Sequence, residues 1–269
     1  MINDLRANLP KYSVWLSLAL LAWFVVAAFG TKIGLIGWKF GFGFMTVTAG
    51  PWLMGIAALV ALIALALAWT ATPRGAWWKA AIALAIPAIM FLALLSVRAA
   101  GASSPPIHDV STDLRNPPQF SAGTIAMRSD WGANPLVDYG TPLGQLPLWA
   151  DRVDSDLAVQ NHADVIAANY RELQPIPVGA ATRDQATAAV VAAMGEIGLD
   201  DIRADSAAGR VEGVAETFAY GFRDDVVARI TDTRIDLRSA SRVGVGDLGY
   251  NADRVRKLSD AIRRRLAGG

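Results

Sequence analysis

A chain of 269 residues without a single cysteine excludes disulfides, thiol catalysis and cysteine-ligated metal, while leaving the compartment open. Its formal net charge of +1 hides a division. The first 100 residues carry seven Lys or Arg against one Asp, and the remainder carries 18 basic against 23 acidic side chains. An acidic C-terminal region repels phosphate backbones at long range, which sets nucleic acid aside as a partner.

Three uncharged apolar runs open the chain: Tyr12–Thr31 with 20 residues, Phe40–Pro73 with 34, and Ala80–Val97 with 18. At roughly 1.5 Å per helical residue, about 20 such residues cross a hydrocarbon core. The best span inside the longest run is Pro51–Trp69. Trp52 and Trp69 bracket it, and Trp77 with Trp78 opens the third run, as an interfacial aromatic belt would. Pro87 predicts a kink in the third span. A cleaved signal peptide using Arg6 and Lys11 is the alternative for the first run, although two further spans follow it. The small residues Ala57, Ala61, Ala64 and Ala68 permit close packing with a partner helix.

Basic residues beside the spans give the orientation. Arg6, Lys11, Arg74 and Lys79 flank one side, and Lys32, Lys39 and Arg98 the other. The bias favours a cytoplasmic N-terminus in the inner (cytoplasmic) membrane, with the C-terminal domain in the periplasm.

Residues 1–98 therefore read as a three-helix membrane anchor, 99–179 as a largely irregular arm, and 180–269 as a compact α+β domain. In the arm, Ser103-Ser104-Pro105-Pro106 and Asn116-Pro117-Pro118 break regular structure, and a short helix is expected at Ala163–Tyr170. Next, Thr182 and Gln185 form a capping box before Ala186, Val190, Ala193, Met194 and Ile197 at helical spacing. Ile202–Thr217 reads as a hairpin turning at Ser206–Gly209, and Phe218–Ile230 with Arg234–Val243 as two strands turning at Asp232-Thr233. In the last strand Arg234, Asp236, Arg238 and Arg242 share a face, opposite Ile235 and Leu237. A closing helix takes Asn251 as N-cap and Val255, Leu258, Ile262 and Leu266 as its apolar stripe, with Arg263–Arg265 at its C-terminal end. The pattern predicts an antiparallel sheet with helices packed on one face.

The stretch Tyr220–Ile230, containing Gly221-Phe222-Arg223-Asp224-Asp225-Val226-Val227, resembles a characteristic segment of the DUF1499 family, a domain of unknown function. Ile235–Gly244, leading into Asp247-Leu248-Gly249-Tyr250-Asn251, is similar to its next segment, and Ser111-Thr112-Asp113 with Asn116–Phe120 to an upstream one. The resemblance covers about residues 107–266, is interrupted between Phe120 and Asn169, and makes the three-span anchor an addition. It implies a fold boundary and no catalytic residues.

Several constellations carry chemistry. Gly244–Gly249 matches GxGxxG, but the 20 residues left after it hold no βαβ unit. A small-anion site at that helix start, beside Ser241 and Arg242, competes with a plain strand-to-helix turn. The charged set Arg229, Arg238, Ser241, Arg242 and Arg254, with Asp224, Asp225 and Asp236, reads either as a site for a small anionic ligand or as cross-strand ion pairing, for example Arg229 with Asp236. His108 and His162 read as surface residues of the arm, and Asp151, Asp154 and Asp156 as a solvated face without the features of a calcium loop. No catalytic residue, metal or cofactor is assigned.

Two function classes stand. In the first, a non-enzymatic envelope protein, an accessory or assembly subunit, binds a protein or lipid partner, with Trp131, Tyr139 and Trp149 as contact anchors. In the second, an anionic-ligand binder or hydrolase-like enzyme uses the Arg/Asp sheet face.

Overall fold

The computed structural model describes residues 2–71 and 74–268; Pro73, the end of the second apolar run, and the side chain of Arg6 lie outside the described residues. The chain divides into two units, one of residues up to Ala99 with Thr217–Gly221, the other of Ala100–Glu216 with Phe222 onward.

Among the described residues, the first unit is built on three helices long and apolar enough to cross a membrane. They are α1 (Ile2–Lys32), α2 (Ala49–Trp69), which continues a π-helical segment at Lys39–Thr48, and α3 (Trp77–Ala102). Pro51 has no N–H for the carbonyl four residues back, and the wider winding lies just upstream of it. Thr46 and Thr48 hydroxyls there donate to the carbonyls of Gly41 and Gly43, each five residues earlier, at 3.0 Å. Small residues set the helix contacts. A Cβ on Gly50 would stand 2.7 Å from the Phe24 ring. Ser17 Oγ donates to the Ala83 carbonyl at 2.7 Å, holding α1 against α3 where Ala80, Ala83 and Pro87 are buried. Ala57, Ala61, Ala64 and Ala68 are also buried within this unit, so the stripe expected to receive a partner helix packs against the chain's own helices.

The second unit is α+β. Its sheet runs β1 (Asp109–Ser111), β6 (Arg234–Ser241), β5 (Arg223–Ile230), β4 (Arg210–Glu216), β3 (Asp200–Asp205), all antiparallel, and β2 (Ile176–Pro177) also pairs with β6. On one face lie α7 (Arg183–Glu196) and α8 (Tyr250–Ala267), as the apolar periodicities predict. The Thr182–Gln185 capping box is present, and Val255, Leu258 and Ile262 are buried with Ile235, Leu237 and Val226. Asn251 differs from expectation. Gly249, at φ 83°, is the N-cap, and Asn251 lies inside the first turn with its amide buried against Ser239, Ser241 and the His108 carbonyl.

Residues 100–179 belong to this unit and, after the end of α3 at Ala102, contain α4 (Ala122–Asp130), α5 (Ser155–Ala158) and α6 (His162–Asn169), capped by Ser121, Asp154 and Asn161 respectively. This stretch supplies β1 and β2 to the sheet edge and Ile107, Leu143, Trp149 and Ile166 to the main core. Phe120 covers Val227 and Ala240 on the sheet face opposite α7 and α8. A fragment beginning at residue 180 therefore lacks β1 and β2 beside β6 and one covering layer. Its NMR amide spectrum is expected to be undispersed, whereas a fragment beginning at residue 104 gives a dispersed one; two equally dispersed spectra would contradict this packing.

Candidate functional site

Alternation along paired strands concentrates charge on the sheet face opposite α7 and α8. The register places Arg229 opposite Asp236, Arg238 opposite Val227 and Ser111, and Asp225 opposite Ala240, so these side chains point the same way as Asp109 and Glu212. The arm lies over this face, and most of these groups are buried.

Three ion clusters result. Asp225 accepts from Arg242 Nε at 3.0 Å and Nη2 at 2.7 Å, and from Arg128 Nη1 at 2.5 Å, with all three side chains 5% exposed or less. Arg128 comes from α4 and also donates to the carbonyls of Asn134, Ala240 and Ser241. Asp109 forms a two-bond pair with Arg238, at 2.9 and 2.7 Å, and accepts from the Tyr139 hydroxyl at 2.7 Å. Burial works to raise the Asp109 pKa, but Arg238 and the Tyr139 hydroxyl hold it below the usual carboxylate range. The third cluster is a quartet at the sheet rim, in which Arg229 and Arg234 each bridge Asp113 and Asp236 at 2.6 to 3.2 Å. Beyond these, Glu212 accepts from the Ser121 amide and hydroxyl and the Thr124 hydroxyl at the start of α4.

The five arginine and serine positions singled out from sequence do not form one site. Arg229, Arg238 and Arg242 lie on the covered charged face, each in a different position and each paired with an aspartate. Ser241 points to the other face and accepts from Asn251, and Arg254 pairs there with Asp224 at 2.7 Å. Adjacent strand residues face apart, which separates Ser241 from Arg242. The GxGxxG loop is a turn whose helix start is already occupied. Asp247 accepts from the amides of Gly249 and Asn251 at 2.9 and 2.6 Å, so the chain supplies its own anion there. Burial, with those amides opposing, raises the Asp247 pKa.

The aromatic anchors also part company. Trp131 is 39% exposed and lies over the Arg242 guanidinium, whereas Tyr139 and Trp149 are core residues without an open surface. An open groove of 320 Å³ is lined by Ile125, Arg128, Ser129, Asn134, Pro135 and Leu136, and Ile125 is 47% exposed. Sequence reasoning missed Arg128, Asp109 and Glu212, although a strand face of alternating charge signals that counter-charges must arrive from elsewhere in the chain. Among the described residues, no group of three or more His, Asp or Glu side chains is arranged to hold a metal ion.

The histidines correct the surface reading most directly, because both are buried. His108 stacks on Trp149 with the rings 1° from parallel, and Trp149 meets His162 edge to face at 4.9 Å. Among the described residues, neither nitrogen of His162 has a hydrogen-bond partner. Burial, opposed by the Asp109 charge, lowers its pKa from 6.5 to about 4, and lowers that of His108 as well. A depressed histidine pKa means that the unfolded chain binds a proton that the native chain refuses, so stability is full above about pH 6.5 and falls towards pH 4. His162 alone should remove about 2 kcal/mol between pH 7 and pH 5. Urea unfolding at the two pH values is expected to show that loss in the parent and a smaller one in His162→Leu; equal losses would contradict it.

Residues 109–262, over half of the chain, match the model of a family described as a protein of unknown function (DUF1499). No curated protein and no solved structure matches the chain. The matched range opens at β1 and closes within α8, so it takes in the ion clusters, most of the arm that covers them and the buried His162, with His108 one residue before it. The chain belongs to the DUF1499 family.

Proposed function

We propose that the protein is a membrane-anchored component of the cell envelope that binds a protein partner through its α+β domain, as an accessory or assembly subunit and not as an enzyme. The observation that carries this reading is the employment of the charged sheet face. Its buried arginines are each paired with one of the chain's own aspartates, Arg238 with Asp109, and Arg128 and Arg242 sharing Asp225. A ligand anion would have to displace a bonded carboxylate from each, at the cost of a buried uncompensated charge. Among the surfaces the domain leaves open is the groove lined by exposed Ile125 and by Leu136, and Trp131, exposed at the C-cap of the same helix α4, adds an aromatic group of the kind that anchors protein contacts.

Orientation follows the flanking charge, with Lys11, Arg74 and Lys79 on the cytoplasmic side of the inner membrane and the domain in the periplasm. Full-length protein, tagged and extracted in mild detergent, is expected to retain a stoichiometric protein companion. The Ile125→Asp/Trp131→Ala variant, folded by circular dichroism, should lose it. Purification of the parent alone or with a bound small molecule would contradict the proposal and favour the ligand-binding alternative.

A further inference from the structure

The cytoplasmic-side ends of α1 and α3 enclose a second feature that partner binding by the domain does not use. Lys11, Val14, Trp15 and Leu18 recur at the spacing of one helix face on α1, and Trp78, Lys79 and Ile82 oppose them from α3. Together they line a groove of 230 Å³. The groove exists because small residues bring the two helices together beneath it: Ser13, Ser17, Ala80 and Ala83 are fully buried, and Ser17 bonds the Ala83 carbonyl. The large residues beside this seam stay outside it, with Trp15 62% and Trp78 53% exposed.

The lining is amphiphilic in a particular sense. It holds two ammonium groups and no carboxylate, above an apolar wall of Val14, Leu18 and Ile82. Lys79 Nζ stands 5.4 Å from the centre of the Trp78 ring, which fixes one of these cations at the tryptophan belt. The complement of such a surface is a molecule with an anionic head and an apolar tail lying along the helices. We propose that the groove between α1 and α3 binds an anionic phospholipid, with its phosphate held by Lys11 and Lys79 and an acyl chain along Leu18 and Ile82. Basic recesses between membrane helices on the cytoplasmic side recognise acidic headgroups in this way. The inference rests on the reading that these helices span a membrane.

Full-length protein in mild detergent, titrated with phosphatidylglycerol or phosphatidylcholine and read by native mass spectrometry, tests it. The parent is expected to bind the anionic lipid at least fivefold more tightly than the zwitterionic one. The Lys11→Gln/Lys79→Gln variant should bind it roughly tenfold or more weakly, since each lysine near an acidic headgroup is worth about a factor of five. Lys11→Arg/Lys79→Arg should retain binding, as should Lys39→Gln, which alters a lysine outside the groove. Equal binding of the two lipids, or an unchanged double variant, overturns the proposal. Competition by millimolar inorganic phosphate as effective as that by the lipid would also overturn it, because the acyl chain would then contribute nothing. Carbonate extraction separates the underlying reading: release of the parent from membranes refutes the spanning helices themselves.

Discussion

The burial of Asp225 between Arg242 and Arg128 is the constraint around which the α+β domain is organised. A carboxylate taken out of water costs several kcal/mol unless counter-charge and hydrogen bonds replace its solvation. Arg242 provides part of this from the adjoining strand end, and Arg128 reaches it from α4. The helix is therefore tied to the sheet by charge as well as by Phe120. The same logic recurs at Asp109, where Arg238 and Tyr139 share one carboxylate, and at Glu212, which is capped by the start of α4. A sheet face that would be open and polar in isolation becomes an interior.

This arrangement explains why the stretch before α7 is long. It has to close the sheet edge with β1 and β2, deliver Arg128, Asp109 and Asp113 to the charged face, and deliver Trp149, His108 and His162 to the core. Well over half of its residues lie outside regular elements, yet its turns are held by specific bonds, such as Trp149 Nε1 to the Pro106 carbonyl at 2.6 Å and Asn134 to the Gly244 carbonyl at 2.6 Å. His108 keeps one ring nitrogen against the Val245 carbonyl while His162 has no hydrogen-bond partner among the described residues, and a neutral imidazole is tolerated there because it packs as an aromatic ring against Trp149. The membrane-capable helices follow a different rule, in which alanine, serine and glycine mark the contacts and the large apolar residues face outward.

The regular elements were legible in the sequence because their signals are local. The Thr182–Gln185 capping box, the Ser206–Gly209 turn and the pairing of Arg229 with Asp236 follow from spacing of a few residues, and each is present. The apolar runs were equally plain, although the second is one helical segment from Lys39 to Trp69. What stayed hidden depends on contacts over long separations. Nothing near Arg128 in the sequence announces Asp225, 97 residues away, and nothing near His162 announces burial against Trp149. Asn251 looked like an N-cap because a helix starts there, but the glycine two residues earlier takes the left-handed conformation and the asparagine turns inward. The candidate ligand set does not gather in one place for a related reason: it was read along the strand, and neighbouring strand residues occupy opposite faces.

The central claim, that the charged face is an internal lattice, is tested most directly by the stability of isosteric apolar replacements around Asp225. Asp225→Leu alone leaves two guanidinium groups buried without a counter-charge and should lose about 3–5 kcal/mol in urea unfolding. Replacing the whole cluster, Arg128→Met with Asp225→Leu and Arg242→Met, should recover most of that loss, since no ion then remains to be solvated. A single variant as stable as the parent would show that water reaches these groups, and would return the face to the status of an open binding surface.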